Sequence, residues 1–143
     1  MTPGTFSTRR ALTALLALAL VLRLAYALSL DPLAPYEDQG GDMGWYLDVG
    51  YRFSRGDVDV VVPSGPVYLL FVGFWQQLLG RGAGAVIAIR IAQALLSTAT
   101  IYFAFRMARR LIGDARAGLI AAGVLAISPV FVLEQAQILT ETL

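Results

Sequence analysis

Cysteine, histidine and lysine are all missing from these 143 residues. Without cysteine there are no disulfide bridges and no thiolate metal sites. Without histidine the commonest general base near neutral pH and the commonest transition-metal ligand are gone. Every base is an arginine, which keeps its proton at any ordinary pH, so proton transfer falls to Asp, Glu or Tyr. Charge is scarce as well: 15% of residues, against about 25% in a soluble domain. What is abundant is apolar. Hydrophobic residues make up 57% and the mean hydropathy is +0.67, the composition of a membrane protein. The net charge of +1 suggests no nucleic-acid partner.

Segment lengths give the expected organisation. Residues 1–10 are a polar start ending in Arg9 and Arg10. Residues 11–30 form an apolar run broken only by Arg23, and twenty helical residues rise about 30 Å, one hydrocarbon thickness. Asp31-Pro32 ends that run, because a residue before proline is pushed out of the helical region. The same stretch could be read as a signal peptide, with "AYA" at 25–27 as its cleavage site. Arg23, lying between the apolar run and that site, and the oily remainder argue against cleavage. Residues 85–105 and 117–133 are also long enough to cross, and 106–116 between them carries five charges. The stretch 66–79 is too short to cross upright and suits the interface, where Tyr68, Trp75, Gln76 and Gln77 would sit well.

Counting 66–79 as a crossing would put Arg106, Arg109, Arg110 and Arg116 on the side opposite Arg9 and Arg10. The positive-inside rule favours the alternative. The expected fold is therefore all-α and integral to the membrane, with three transmembrane helices at 11–30, 85–105 and 117–133. The N-terminus and residues 106–116 are cytoplasmic. Residues 31–84 form an extracytoplasmic loop with amphipathic or interfacial helices at about 42–55 and 66–79, and 134–143 begin a second outer loop. A bacterial cytoplasmic membrane is the expected location.

The outer loop gathers the acids. Seven of the ten lie between Asp31 and Asp59, and Glu37, Asp38 and Asp42 fall within "YEDQGGDMGWYLDVG", residues 36–50. Projected at 100° per residue, a helix over 42–55 puts Asp48 and Arg52 on a polar face as an i,i+4 pair. It puts Asp42 on the apolar stripe, one turn before Tyr46. An acid on a buried face is costly unless it has partners or a task. Asp42 also reads as a helix N-cap, and the two readings are compatible. Glu37 and Asp38 read either as solvated loop acids or as hard oxygen ligands for a divalent cation such as Mg²⁺ or Mn²⁺.

The order of these parts resembles the N-terminal third of a GT-C glycosyltransferase: a first span, an outer loop with Asp42-x-x-x-Tyr46, "SRGD" (54–57), "PSGPVYLLF" (63–71), "RIAQALLSTATIYFAFRMARRLIG" (90–113) and "RAGLIAAGVLAISPVFVLEQAQILTETL" (116–143). The nearest branch is that of protein O-mannosyltransferases and lipid A aminoarabinose transferases. The resemblance implies sugar transfer from a polyprenyl-phosphate donor to a lipid, glycan or protein acceptor at the outer membrane face. It marks an acid in the first outer loop, matched by Asp42, and a second after the next pair of spans, matched by Glu141. Met43 departs from the pattern, since family members commonly carry a second acid there. Tyr46, Glu37 and Asp38 would flank the substrate. Arg90, toward the outer end of its span, could meet a lipid phosphate or simply snorkel to the headgroups, and Arg23 carries the same ambiguity. A small non-catalytic membrane protein, perhaps an assembly partner, is the alternative from another class.

Overall fold

A computed structural model describes residues 3–37, 41–57 and 65–138, with side chains from Thr8 onward. Among the described residues the chain is entirely helical, without a strand. In order the helices are α1 (Pro3–Ser29), α2 (Ala34–Glu37), α3 (Asp42–Ser54), α4 (Pro66–Leu79), α5 (Ala83–Ile112), α6 (Ala115–Ile127) and α7 (Pro129–Glu134).

Two of them are long and apolar enough to cross a membrane, α1 over Thr8–Ser29 and α5 over Ala83–Ile112. Their outer surfaces are bare hydrocarbon: Leu18, Val21, Leu22, Leu95, Leu96 and Phe103 all stand exposed. A helix apolar on every side needs lipid or protein around it. α4 and α6 are shorter, at 14 and 13 residues. α5 runs seven residues beyond Phe105, so Arg106, Arg109 and Arg110 stand on helix rather than in an irregular connection. Nothing in "RMARRLI" breaks a helix; Gly113 does, with φ +78° and its N–H donated to the Arg109 carbonyl. Asp114 then starts α6 by accepting the Arg116 N–H at 2.9 Å.

The helices form two packed groups. In the first, α1, α5 and α6 meet through small residues, with Ala19, Ala122 and Ala126 buried beside Ile101 and Phe105. A Cβ added at Gly118 would come within 2.8 Å of the Phe105 ring and carbonyl, so the close approach of α6 to α5 depends on that glycine. In the second, α3 lies against α4 by a paired-glycine contact: a Cβ on Gly73 would collide with the Gly50 carbonyl and the Ser54 side chain. α4 and the start of α5 close over this pair, burying Leu47, Tyr68, Val72, Val86 and Ile89 together with Ile138.

Arg23 is 1% exposed and does not snorkel. Its guanidinium donates to the carbonyls of Leu125 (3.0 Å) and Ala126 (3.2 Å), to Ala19 (3.3 Å), and to Ser97 Oγ (2.9 Å). The reason lies in Pro129. Proline has no N–H to return to the carbonyl four residues earlier, and that carbonyl belongs to Leu125. Ser128, ahead of the proline, takes φ −61°, ψ 120° and separates α6 from α7. The arginine supplies the donors that the chain withholds, as broken helices at membrane depth require.

Four local expectations are corrected. The N-cap of α3 is Gly41, without a side-chain cap; Asp42 is the first helical residue. The buried side of α3 is centred on Leu47, Val49 and Gly50, because α4 covers that side, and Asp42 is exposed. Asp48 pairs with Arg81 at 3.0 Å and Arg52 with Asp57 at 2.8 Å, in place of an Asp48–Arg52 pair. Likewise Tyr68 and Gln76 are buried in the core instead of facing an interface.

Candidate active site

The second group of helices sits at the end of the bundle where α1 finishes and α5 begins. α3 stands there because its apolar face finds α4 as its partner. Asp42 opens α3 with its carboxylate exposed, and it has neither a hydrogen bond nor an ion pair among the described residues. One turn on, Tyr46 is half-buried, its ring edge-to-face with Tyr68 at 5.4 Å and with Trp45 at 5.0 Å. Tyr68 accepts from Gln93 Nε2 at 3.3 Å, and the same nitrogen reaches the Gln137 carbonyl at 3.1 Å. Gln93 lies one turn beyond Arg90 on α5. A single buried amide thus ties α4, α5 and the chain after α7 to one another.

Arg90 is buried. Its Nη1 donates to the carbonyls of Leu30 (3.2 Å) and Asp31 (3.3 Å), which end α1. Its Nε has no partner among the described residues. The head group therefore points inward to the junction of α1 and α5 and leaves one donor uncommitted. Glu37 is exposed at the end of α2. Asp38 and Glu141 lie outside the described residues. Met43, next to Asp42, packs on the same apolar cluster as Ile138, so the start of α3 and the chain after α7 meet there.

Below Asp42 the floor is held by Tyr36. Its hydroxyl donates to Gln76 Oε1 at 3.2 Å and accepts the Gly82 N–H at 3.1 Å, while Gln76 Nε2 donates to the Leu47 carbonyl at 2.8 Å. Burial raises the Tyr36 pKa, and the Gly82 hydrogen bond and Arg81 oppose this only in part. The phenol stays protonated at neutral pH and serves as a brace between α2, α4 and α5, not as a base. No group of three carboxylates that could hold a metal ion occurs among the described residues.

Sequence reasoning named Asp42, Tyr46 and Arg90; it did not name Gln93 or Tyr36, and it set Gln76 at an interface instead of in the core. A signal existed for Gln93: a buried amide in a span is expensive and calls for partners. For Tyr36 and Gln76 it did not, since both lie in segments where polar residues are ordinary.

Residues 62–143 match the family described as dolichyl-phosphate-mannose-protein mannosyltransferase. The chain belongs to this family. The match covers more than half of the sequence and takes in α4 to α7, including Arg90, Gln93 and the segment of Glu141. Asp42, Tyr46, Glu37 and Asp38 precede it. No curated protein and no solved structure matches the chain. This mannosyltransferase family membership identifies the chain as part of a membrane glycosyltransferase of GT-C type.

Proposed function

We propose that the chain forms the N-terminal part of an enzyme that moves a sugar from a polyprenyl-phosphate donor to an acceptor hydroxyl at the extracytoplasmic face. What supports this reading is the family match over residues 62–143, together with the exposed carboxylate of Asp42 at the head of α3. In this reading α1, α5 and the broken α6–α7 unit are the spans, and α3 and α4 lie at the outer interface. Arg9, Arg10, Arg106, Arg109, Arg110 and Arg116 then all face the cytoplasm, as the positive-inside rule favours.

The residue types suit the reaction. As the acceptor oxygen attacks the anomeric carbon, its proton passes to a carboxylate, and Asp42 is the exposed one at the head of α3. The bond between the anomeric carbon and the phosphate oxygen breaks, and the lipid phosphate leaves with the electron pair. Its charge needs a cationic donor; Arg90 could serve only by turning its guanidinium away from the carbonyls of Leu30 and Asp31 that it holds here. Tyr46 and Glu37 would flank the acceptor path; Glu141 and Asp38, which lie outside the described residues, enter this reading from the resemblance alone.

The test is sugar transfer from a polyprenyl-phosphate donor by the gene product that contains this chain. Asp42 is not a cap, so Asp42→Asn forfeits only a dipole interaction of about 0.3–1 kcal/mol and should fold normally. Its turnover should fall by roughly 10²–10⁴. Asp48→Asn loses only the exposed pair with Arg81, worth under about 1 kcal/mol, and should turn over normally. Near-normal transfer by Asp42→Asn would remove it from the site.

A further inference from the structure

A separate concavity lies at the other end of the molecule. The start of α1, the end of α5 and the start of α6 enclose a cavity of about 990 Å³. Five arginines line it, Arg9, Arg106, Arg109, Arg110 and Arg116, against one carboxylate, Asp114. Asp114 is engaged in capping α6 through the Arg116 N–H. None of the five arginines forms an ion pair with a described carboxylate. Arg106 is held by Tyr102, donating to its hydroxyl at 2.9 Å with the guanidinium 5.8 Å from the ring centre. Leu12, Leu16 and Phe105 form an apolar wall on the same cavity, and this wall continues into the buried contact of α1, α5 and α6.

We propose that this cavity binds the phosphate headgroup of an anionic phospholipid, separately from the sugar-transfer site. Guanidinium groups bind phosphate through paired charge-assisted hydrogen bonds. Five of them converging from three helices repel one another until an anion sits among them. The volume lies within the range of ordinary small-molecule pockets. The apolar wall selects an amphiphile over a soluble phosphate, with the head on the arginines and the acyl chain along Leu12, Leu16 and Phe105. Arginines that merely follow the positive-inside rule would each reach independently to the headgroups; these face a common space.

The test uses the protein in phosphatidylcholine nanodiscs with graded phosphatidylglycerol, a composition equal in both leaflets so that orientation does not matter. Native mass spectrometry counts the retained lipid, and thermal unfolding reports saturation. The expected result is saturable retention of phosphatidylglycerol, weakened about tenfold or more in Arg109→Gln/Arg116→Gln. The charge-matched Arg52→Gln/Arg55→Gln, at the opposite end, should stay within about twofold, because headgroup attraction falls off within a Debye length. Thr13→Trp keeps every arginine and fills the cavity that Thr13 lines; it should lose binding equally. Equal loss in the two arginine pairs, or full binding by Thr13→Trp, would mean diffuse attraction and overturn the proposal. So would protection by inorganic phosphate alone that matches the lipid's.

Discussion

At the scale of single residues, the arginines divide by what surrounds them. Arg23 faces backbone carbonyls, and the coupling to Pro129 is chemical: one lacks the N–H that the other replaces. Arg23→Leu should destabilise the folded protein by about 2 kcal/mol, since hydrogen bonds in membrane proteins average about 0.6 kcal/mol each and four are lost. Pro129→Ala restores an N–H within reach of the Leu125 carbonyl, so the double variant should be less destabilised than the two single effects summed. Denaturant unfolding in detergent measures this, and strict additivity would break the link. The pairing was not legible beforehand. Arg23 and Pro129 are 106 positions apart in sequence, and nothing local relates them.

At the scale of elements, helix positions followed from local chemistry and helix faces did not. Residues 42–55 and 66–79 were expected as helices and appear as Asp42–Ser54 and Pro66–Leu79, because Gly-rich and Pro-containing borders stop helices wherever they occur. The buried face of α3 lies close to the expected stripe, with Val49 and Gly50 on it, but Asp42 at the helix start is left uncovered because α4 packs over Leu47, Val49 and Gly50 further along. The glycines make that choice testable. Gly73→Ala forces α3 and α4 apart and should cost about 1–3 kcal/mol. Gly123→Ala, whose Cβ would meet nothing within 4 Å, should stabilise α6 by about 0.5–1 kcal/mol. Thermal unfolding separates the two, and a neutral Gly73→Ala would show that the close contact is not needed.

At the scale of the whole molecule, the polar groups are sorted to two ends. The helices α2, α3 and α4 with their aromatic brace lie where α5 begins, and the arginine cavity lies where it ends. A helix of 30 residues spans about 45 Å, more than a hydrocarbon core. With no native cysteine, single cysteines replacing Arg55 and Leu111, both exposed, can be labelled cleanly by an impermeant reagent on intact cells. The first should react from outside and the second only after permeabilisation. Labelling of both from outside would defeat the three-span arrangement.

The sequence by itself determined the solvent, the chemistry and the partition of charge. Long apolar runs suit a bilayer, a stretch without histidine or cysteine offers only carboxylates and phenols for proton transfer, and six of the eleven arginines lie in the segments 9–10 and 106–116. These are properties of composition and spacing, which do not depend on what packs against what. Only the tertiary structure decided that Asp42 is exposed, that Arg90 closes the end of α1, that Gln93 joins three segments, and that five arginines share one cavity. Each of these depends on which helix lies beside which, and that choice is made by close contacts at Gly50, Gly73 and Gly118 between residues far apart in the chain.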